Sequence, residues 1–366
     1  MKYIYILIVS GIANFNFFSI SANAQASFIK ENRKLIVEQK QNEEKDSLSS
    51  NQNNAASKVK DNIKVSAYLE TYYSYDFGNP DNHNRPGFAY SHSRHNEVNL
   101  NLGFIKLAYN NDVVRASLAL MSGSYANANL ASEQGVLKNI FEANAGVKIA
   151  KKKNLWVDAG IFTSHIGFES AIGKDCWNLT RSILADNSPY YESGGKISYT
   201  SDNEKWFISG LVLNGWQRIK RMNGNNTPSI GHQITYKSNS KFTFNSSSFI
   251  GNDKPDSVRQ IRYFHNFYSI LQLHQKFGLT LGFDIGAEQK SKESSQYNFW
   301  YSPVCIARYA LNNKINVAAR GEYYSDRNGV IIPIAIGSGT LNGFQTFGYS
   351  LNLDYNISKN LVWRIE

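Results

Sequence analysis

Leu279-Thr280-Leu281-Gly282-Phe283-Asp284-Ile285-Gly286-Ala287-Glu288 is apolar at every odd position and polar or glycine at every even one. A side-chain period of two is that of a β-strand. The mid-strand Asp284 decides which kind. Burying a charge without a partner is expensive, so a strand that is oily on one face and charged on the other has water on the second. The same holds for Ile315, Val317, Ala319, Gly321 and Tyr323, which oppose Asn316, Ala318, Arg320, Glu322 and Tyr324.

Working outward, the pattern recurs. Val65, Ala67, Leu69, Thr71 and Tyr73 oppose Ser66, Tyr68, Glu70 and Tyr72. Val114 to Leu120 alternates with Arg115, Ser117 and Ala119. Phe141, Ala143, Ala145, Val147 and Ile149 oppose Glu142, Asn144, Gly146 and Lys148. Leu155, Val157, Ala159 and Ile161 oppose Trp156, Asp158 and Gly160. Phe347 to Tyr355 alternates with Gly348, Ser350, Asn352 and Asp354. The segments 205–213, 261–274 and 299–311 mix the two kinds, and their faces are not assignable from sequence.

The spacing between segments sets the architecture. Short polar turns fall at 110–112, 151–154, 201–204, 238–240, 276, 312–313 and 358–360. Long polar loops fall at 78–96, 122–138, 162–193, 214–228, 251–260, 289–298 and 325–343. Up-and-down strands with short turns at one end and long loops at the other are the wiring of an outer-membrane barrel. The reading is an all-β, antiparallel up-and-down transmembrane β-barrel of about 14–16 strands, with short periplasmic turns and long extracellular loops. A soluble sandwich would put the same apolar faces into a two-layer core. The chain stops at Glu366 inside a further alternating segment, so the sequence predicts a barrel over 63–366 cut short at its C-terminus.

Met1-Lys2, the largely apolar run Ile4 to Ile20 and Ala22-Asn23-Ala24 predict a cleaved signal peptide over 1–24. Residues 25–62 are rich in Lys, Glu, Gln, Asn and Ser and predict a flexible periplasmic segment, with a short helix near Phe28 to Gln41. Mean hydropathy is −0.41, a value that looks soluble, but only every second residue of a membrane strand faces lipid. The chain holds 22 Tyr and 21 Phe, and ring side chains suit the membrane–water boundary. The net charge of +10 comes partly from turns such as Lys151-Lys152-Lys153. No basic cluster interleaved with aromatics accompanies it, which argues against nucleic acid. Cys176, in a long loop, and Cys305, in a strand, are expected to stay unbridged.

The run Gly167-Phe168-Glu169-Ser170, then Asn178-Leu179-Thr180-Arg181-Ser182, then Ser188-Pro189-Tyr190-Tyr191-Glu192-Ser193-Gly194 resembles the OmpL-like β-barrel porins of Gram-negative bacteria. Tyr68, Tyr72-Tyr73 and Tyr75-Asp76 resemble the opening of the same family. The resemblance implies an outer-membrane barrel that conducts small solutes, with no defined substrate. It departs at the C-terminus, where the family's closing strands are missing.

The expected function is passive diffusion of small hydrophilic solutes or ions through a wet lumen. Its lining candidates are Glu70, Arg115, Glu142, Lys148, Asp158, Asp284, Arg320, Glu322 and Asp354. Negative residues outnumber positive ones there, so no strong anion preference is expected. A loop as long as 162–193 must pack somewhere. If it enters the lumen, Glu169, Lys174, Asp175, Arg181 and Glu192 are candidates for the constriction. Partners are outer-membrane lipids and the solute; oligomeric state is open, a homo-oligomer included. A plugged structural or adhesive barrel is the alternative. A lipid hydrolase would need a serine beside His165 or His232, and no Gly-x-Ser-x-Gly elbow is present. The sequence predicts no catalytic site, metal or cofactor; His83, His92 and His95 form its one loose histidine group.

Overall fold

The computed structural model describes residues 14–15, 62–333 and 343–366. The signal-peptide and flexible-segment readings therefore lie almost wholly outside the described residues. Asn14 and Phe15 lie antiparallel to Val362 and Leu361. Besides this short pairing the sheet has fifteen strands, each antiparallel to its neighbours in chain order. They are β1 Ile63–Ser74, β2 Glu97–Asn110, β3 Val114–Ser122, β4 Ile140–Lys148 and β5 Asn154–Thr163. Then come β6 Tyr191–Thr200, β7 Trp206–Leu213, β8 Ser229–Asn239, β9 Phe242–Gly251 and β10 Arg262–His274. The last are β11 Phe277–Gln289, β12 Tyr297–Ala310, β13 Ile315–Asp326, β14 Phe344–Ser358 and β15 Leu361–Ile365. Two short helices, α1 Ser124–Asn129 and α2 Ile183–Asp186, sit in the second and third long loops. The fold is an all-β barrel of up-and-down strands, as the alternation predicted.

Four of the short turns share one local device. Asn111 Oδ1 accepts from the N–H groups of Val113 (2.9 Å) and Val114 (2.6 Å). Asn312 does the same for Lys314 and Ile315, Asn203 for Lys205, and Asn239 for Lys241. A side-chain amide that mimics a backbone turn holds the chain reversal locally.

The faces are inverted relative to a soluble protein. Tyr349 is 77% exposed and Leu351 71%, while Asn352 between Leu351 and Leu353 is 1% exposed. Leu279, Leu281, Phe283 and Ile285 point outward, and Thr280 and Asp284 are buried inward. No described helix is long and apolar enough to cross a membrane; the strands cross it, with their backbone groups satisfied by neighbours.

Three sequence expectations change. Phe141 was expected outward. The register slips so that Ala119 faces Glu142 and Leu120 faces Ile140, leaving Phe141 as the extra residue of a bulge. It turns inward and stacks on Phe104 at 4.8 Å. Ile161, also expected outward, is buried in the cluster that holds Tyr191 and Ile219. The interior is not uniformly wet either. Val304 and Ile306 of β12 pack in a cluster with Phe168 and Trp177, and Leu211, Leu213, Phe249, Phe264 and Trp300 form a second cluster with Ile166. Both clusters include side chains of the third long loop.

Phe283→Arg places a charge at the middle of the outward face of β11. The barrel in lipid vesicles should lose about 2–4 kcal/mol if that face is near the bilayer midplane, read from its urea unfolding midpoint. An unchanged midpoint would mean that this face does not meet hydrocarbon.

A candidate site where the third long loop crosses the lumen

Residues 164–190 join β5 to β6 and are organised by their own side chains first. Ser164 and Ser170 hydroxyls accept from the N–H groups of Ile166 and Ile172. Ser182 caps α2 by accepting from Ala185 N–H. Arg181 donates to the carbonyls of Leu179 (2.6 Å), Ser170 (2.7 Å) and Ala171 (3.1 Å), which staples the loop to itself. Glu169 accepts from Ser182 N–H and Oγ–H. Burial raises the Glu169 carboxyl above its ordinary range, against the pull of Arg320 and the Ser182 hydrogen bonds.

The folded loop then reaches walls around the barrel. On β1, Glu70 accepts from Gly173 N–H (3.3 Å) and from Tyr68 Oη–H (2.7 Å). On β13, Arg320 donates to Thr180 O (2.9 Å) and Oγ1 (3.0 Å), and Glu322 accepts from Ile183 N–H (2.6 Å). On β14, Asn352 accepts from Leu179 N–H. Arg364 of β15 donates to the carbonyls of Gly173, Cys176 and Trp177. The opposite wall holds the loop's first residues. His165 lies 2.7 Å from Glu192 and 2.8 Å from the Ser248 carbonyl, and Gly167 N–H donates to Asn266.

Close approach needs missing side chains. A Cβ on Gly278 would sit 2.7 Å from the Trp177 ring, and one on Gly282 would sit 2.5 Å from the Phe168 ring. Both glycines are on the inward face of β11, so the loop's two large rings lie directly on the backbone there.

The sequence-derived lining residues are present on the inward face, but few are free. Arg115 pairs with Asp158 (Nε to Oδ1 2.6 Å) and lies over Trp156. Glu142 pairs with Lys106 at 2.6 Å, Asp354 with Arg364 at 2.6 Å, and Arg320 with Glu322 at 3.0 Å and Glu366 at 3.4 Å. Glu70 meets His92 at 2.7 Å. Asp284 accepts from Asn266. Lys148 makes no ion pair among the described residues. Carboxylates that the sequence suggested as an unbalanced negative lining therefore mostly have basic partners.

The loop candidates divide in two. Glu169, Arg181 and Glu192 are buried and hold the loop together or to the wall, so they do not face an open passage. Lys174 and Asp175 are about half exposed and paired at 2.5 Å. They border a cavity of about 310 Å³ shared with Arg308, Lys359 and Arg364, on the short-turn side. A second cavity of about 470 Å³ on the long-loop side is bordered by Trp216, Arg218, Asp253 and Arg262.

Several of these residues were missed in the sequence. Arg262 and Arg308 lie in strands whose faces were unreadable, and Lys106 lies in a strand that was not resolved into faces at all. His83, His92 and His95 are engaged separately: His83 with the His95 carbonyl, His92 with Glu70, and His95 with Asp76 N–H. Among the described residues no group of His, Cys, Asp and Glu could hold a metal. Cys176 and Cys305 are both free thiols. Both ring nitrogens of His165 are occupied, which leaves none to serve as a base to a serine.

A sequence model of the family described as "Putative beta-barrel porin-2, OmpL-like" matches residues 62–366. No curated protein matches. Among solved structures, the outer membrane channel DcaP of Acinetobacter baumannii is 8% identical, with 84% of this chain and 97% of that one covered and a TM-score of 0.48. The anion-selective porin of Comamonas acidovorans is 9% identical, covering 72% and 79%, with a TM-score of 0.47. The loop L8 deletion mutant of OmpT, an outer membrane protein of Vibrio cholerae, is 8% identical, covering 83% and 98%, also at 0.47. On the family match, which spans every strand from β1 to β15, the chain belongs to the OmpL-like β-barrel porin family of the outer membrane.

Proposed function

We propose that the protein is a passive channel for small hydrophilic solutes, exported by a signal peptide over 1–24 and narrowed by its third long loop. The carrying observation is the set of inward-facing polar groups on β1, β13, β14 and β15 that hold residues 173–183 across the lumen. A wall built only for strength could be apolar inside. Here it presents hydrogen-bonding groups to the loop, with a cavity lined by Lys174, Asp175, Arg308 and Arg364 on one side of it and one bordered by Arg218, Asp253 and Arg262 on the other. Because the lining charges are mostly paired, the passage is expected to discriminate weakly between ions and more strongly by size. A reversal potential near zero in a salt gradient supports this; clear anion selectivity contradicts it.

The second reading is a plugged barrel acting through its outer loops. The burial of Glu366, Arg320 and Thr180 where the loop meets β13 favours it. Planar-bilayer recording separates the two: discrete conductance steps from the purified protein support the channel, and their complete absence supports the plug.

Arg320→Ala removes the donor to Thr180 and leaves Glu322 and Glu366 without their cation. Breaking a buried pair costs on the order of 3–5 kcal/mol, and the loop should detach locally. The expected result is larger and noisier conductance steps with heat-modifiable gel migration retained. Steps identical to wild type would mean that the loop does not set the passage.

The anchor at His165 should respond to pH. Burial disfavours its charge, but the Glu192 carboxylate and the Ser248 carbonyl outweigh burial and raise the imidazole above its ordinary value of 6.5. A raised folded value means that the anchoring contribution is fully present below pH 6.5 and is lost as pH rises through the folded value. Glu169, also raised, acts in the same direction: its contribution is full below 4.5 and lost as pH rises. Protease cleavage within residues 164–190 should therefore increase from mildly acidic to alkaline pH. His165→Gln should flatten that rise above pH 6.5, and the opposite trend in the wild type would contradict the assignment.

A further inference from the structure

The outer face carries one cluster that breaks the rule of the belt. Gly210, His232, Ser248 and His265 lie side by side in a single cross-strand row over β7 to β10. All four belong to the outward set, which their exposed neighbours two residues away on each strand define. Ser248 Oγ lies 2.6 Å from His232 Nδ1. Ser246, one outward position below, lies 2.9 Å from His265 Nε2. The two imidazole centroids are 5.5 Å apart.

Apolar side chains surround this island. The row above holds Val212, Ile230, Ile250 and Tyr263, all exposed. Below lie Ile208, Ile234 and Phe267. Ile197 and Ile285 close the two ends of the row. Hydrocarbon would thus cover a group of two imidazoles and two hydroxyls on every side.

Each neutral imidazole carries one donor and one acceptor nitrogen. His232 Nε2 and His265 Nδ1 have no partner among the described residues. Acyl chains offer none, and a polar group left unpaired in hydrocarbon costs several kcal/mol. Polar side chains on membrane-facing surfaces find partners on neighbouring protein, where small residues allow close approach.

The Ser248–His232 contact does not make a hydrolytic pair. Among the described residues no carboxylate or amide orients the other nitrogen of His232, and the backbone N–H groups on β8, β9 and β10 are committed to the sheet. No donor is left for an oxyanion. Nor does the island match a lipid phosphate, because these rows contain no Lys or Arg.

We infer that the polar island on β7–β10 is the contact surface for a second copy of this chain, island against island about a two-fold axis. Groups that both donate and accept are complementary to themselves, so an identical patch satisfies the two free nitrogens. An isologous contact requires such self-complementarity. Serine near its centre and glycine at one end let the two walls approach. The row from Ile197 to Ile285 crosses β6 to β11, so five spacings of about 4.8 Å and a belt about 25 Å tall give on the order of 600 Å² of flat wall per copy. That approaches the ~800 Å² of accessible surface per partner of a stable interface once side-chain relief is included. The inference rests on the barrel and not on conduction.

The test is crosslinking in outer membranes expressing the full chain with Cys305→Ser, since Cys305 is exposed on the outer face of β12. Ser246→Cys in that background, treated with a short bis-maleimide, should give a dimer band. Leu351→Cys, on the outer face of β14, should not. Adding His232→Leu and His265→Leu to the Ser246→Cys chain should abolish the dimer while heat-modifiable migration shows an intact barrel. A folded Ser246→Cys protein that stays monomeric, whether lipid or another protein covers the patch, overturns the inference. So does equal crosslinking from Leu351→Cys, or a dimer unaffected by loss of both histidines.

Discussion

Hydrocarbon offers no hydrogen bonds, and this one constraint organises the molecule. Every backbone N–H and C=O at membrane depth must find a partner within the sheet. The meander of antiparallel strands pairs each strand from β1 to β14 with the next, so the strands between the two edges of the sheet meet that demand. The same constraint strips charge from the outer face, where Tyr349, Leu351 and Phe347 stand exposed. Charge is confined to the inner face, where Glu70, Asp158, Arg320 and Asp354 lie.

Confinement has its own consequence. Charges brought together inside a barrel must be hydrated or paired. The third long loop supplies part of the answer, because its backbone amides and carbonyls serve as partners for Glu70, Arg320, Glu322 and Arg364. Its apolar side chains create the complementary problem. Phe168, Trp177 and Ile166 need apolar surroundings, and inward Val304, Ile306, Leu211 and Phe249 provide them. Loop and wall are thus one packed unit, polar where the loop backbone meets the wall and oily where its large rings do. The space this unit leaves open includes the cavities beside Arg308 and Arg218.

The barrel was legible in the sequence because alternation is a local property. Asp284 between Phe283 and Ile285 declares a polar inward side without reference to any other strand. The turns were legible for the same reason, since Asn111 and Asn312 act on residues two and three positions away. What was not legible depended on distant partners. Val304 and Ile306 look misplaced on an inward face until Phe168 and Trp177 arrive from more than a hundred residues away. Phe141 turned inward through a bulge that only the register with β3 reveals. The pairing of Arg115 with Asp158 and of Lys106 with Glu142 likewise follows from strand order and register. The role of Glu169 and Arg181 as internal braces of the loop could not be told from a lining role by residue type alone.

The most direct measurement is a cysteine scan along β14 from Phe347 to Asp354 in reconstituted bilayers, read by a fluorophore with lipid-soluble and water-soluble quenchers. The account predicts a period of two. Positions 347, 349, 351 and 353 should respond to the lipid-soluble quencher, and 348, 350, 352 and 354 should be shielded from it. Water-soluble quenching at every position, or lipid quenching without alternation, would contradict the claim that hydrocarbon lies against one face of these strands and not the other.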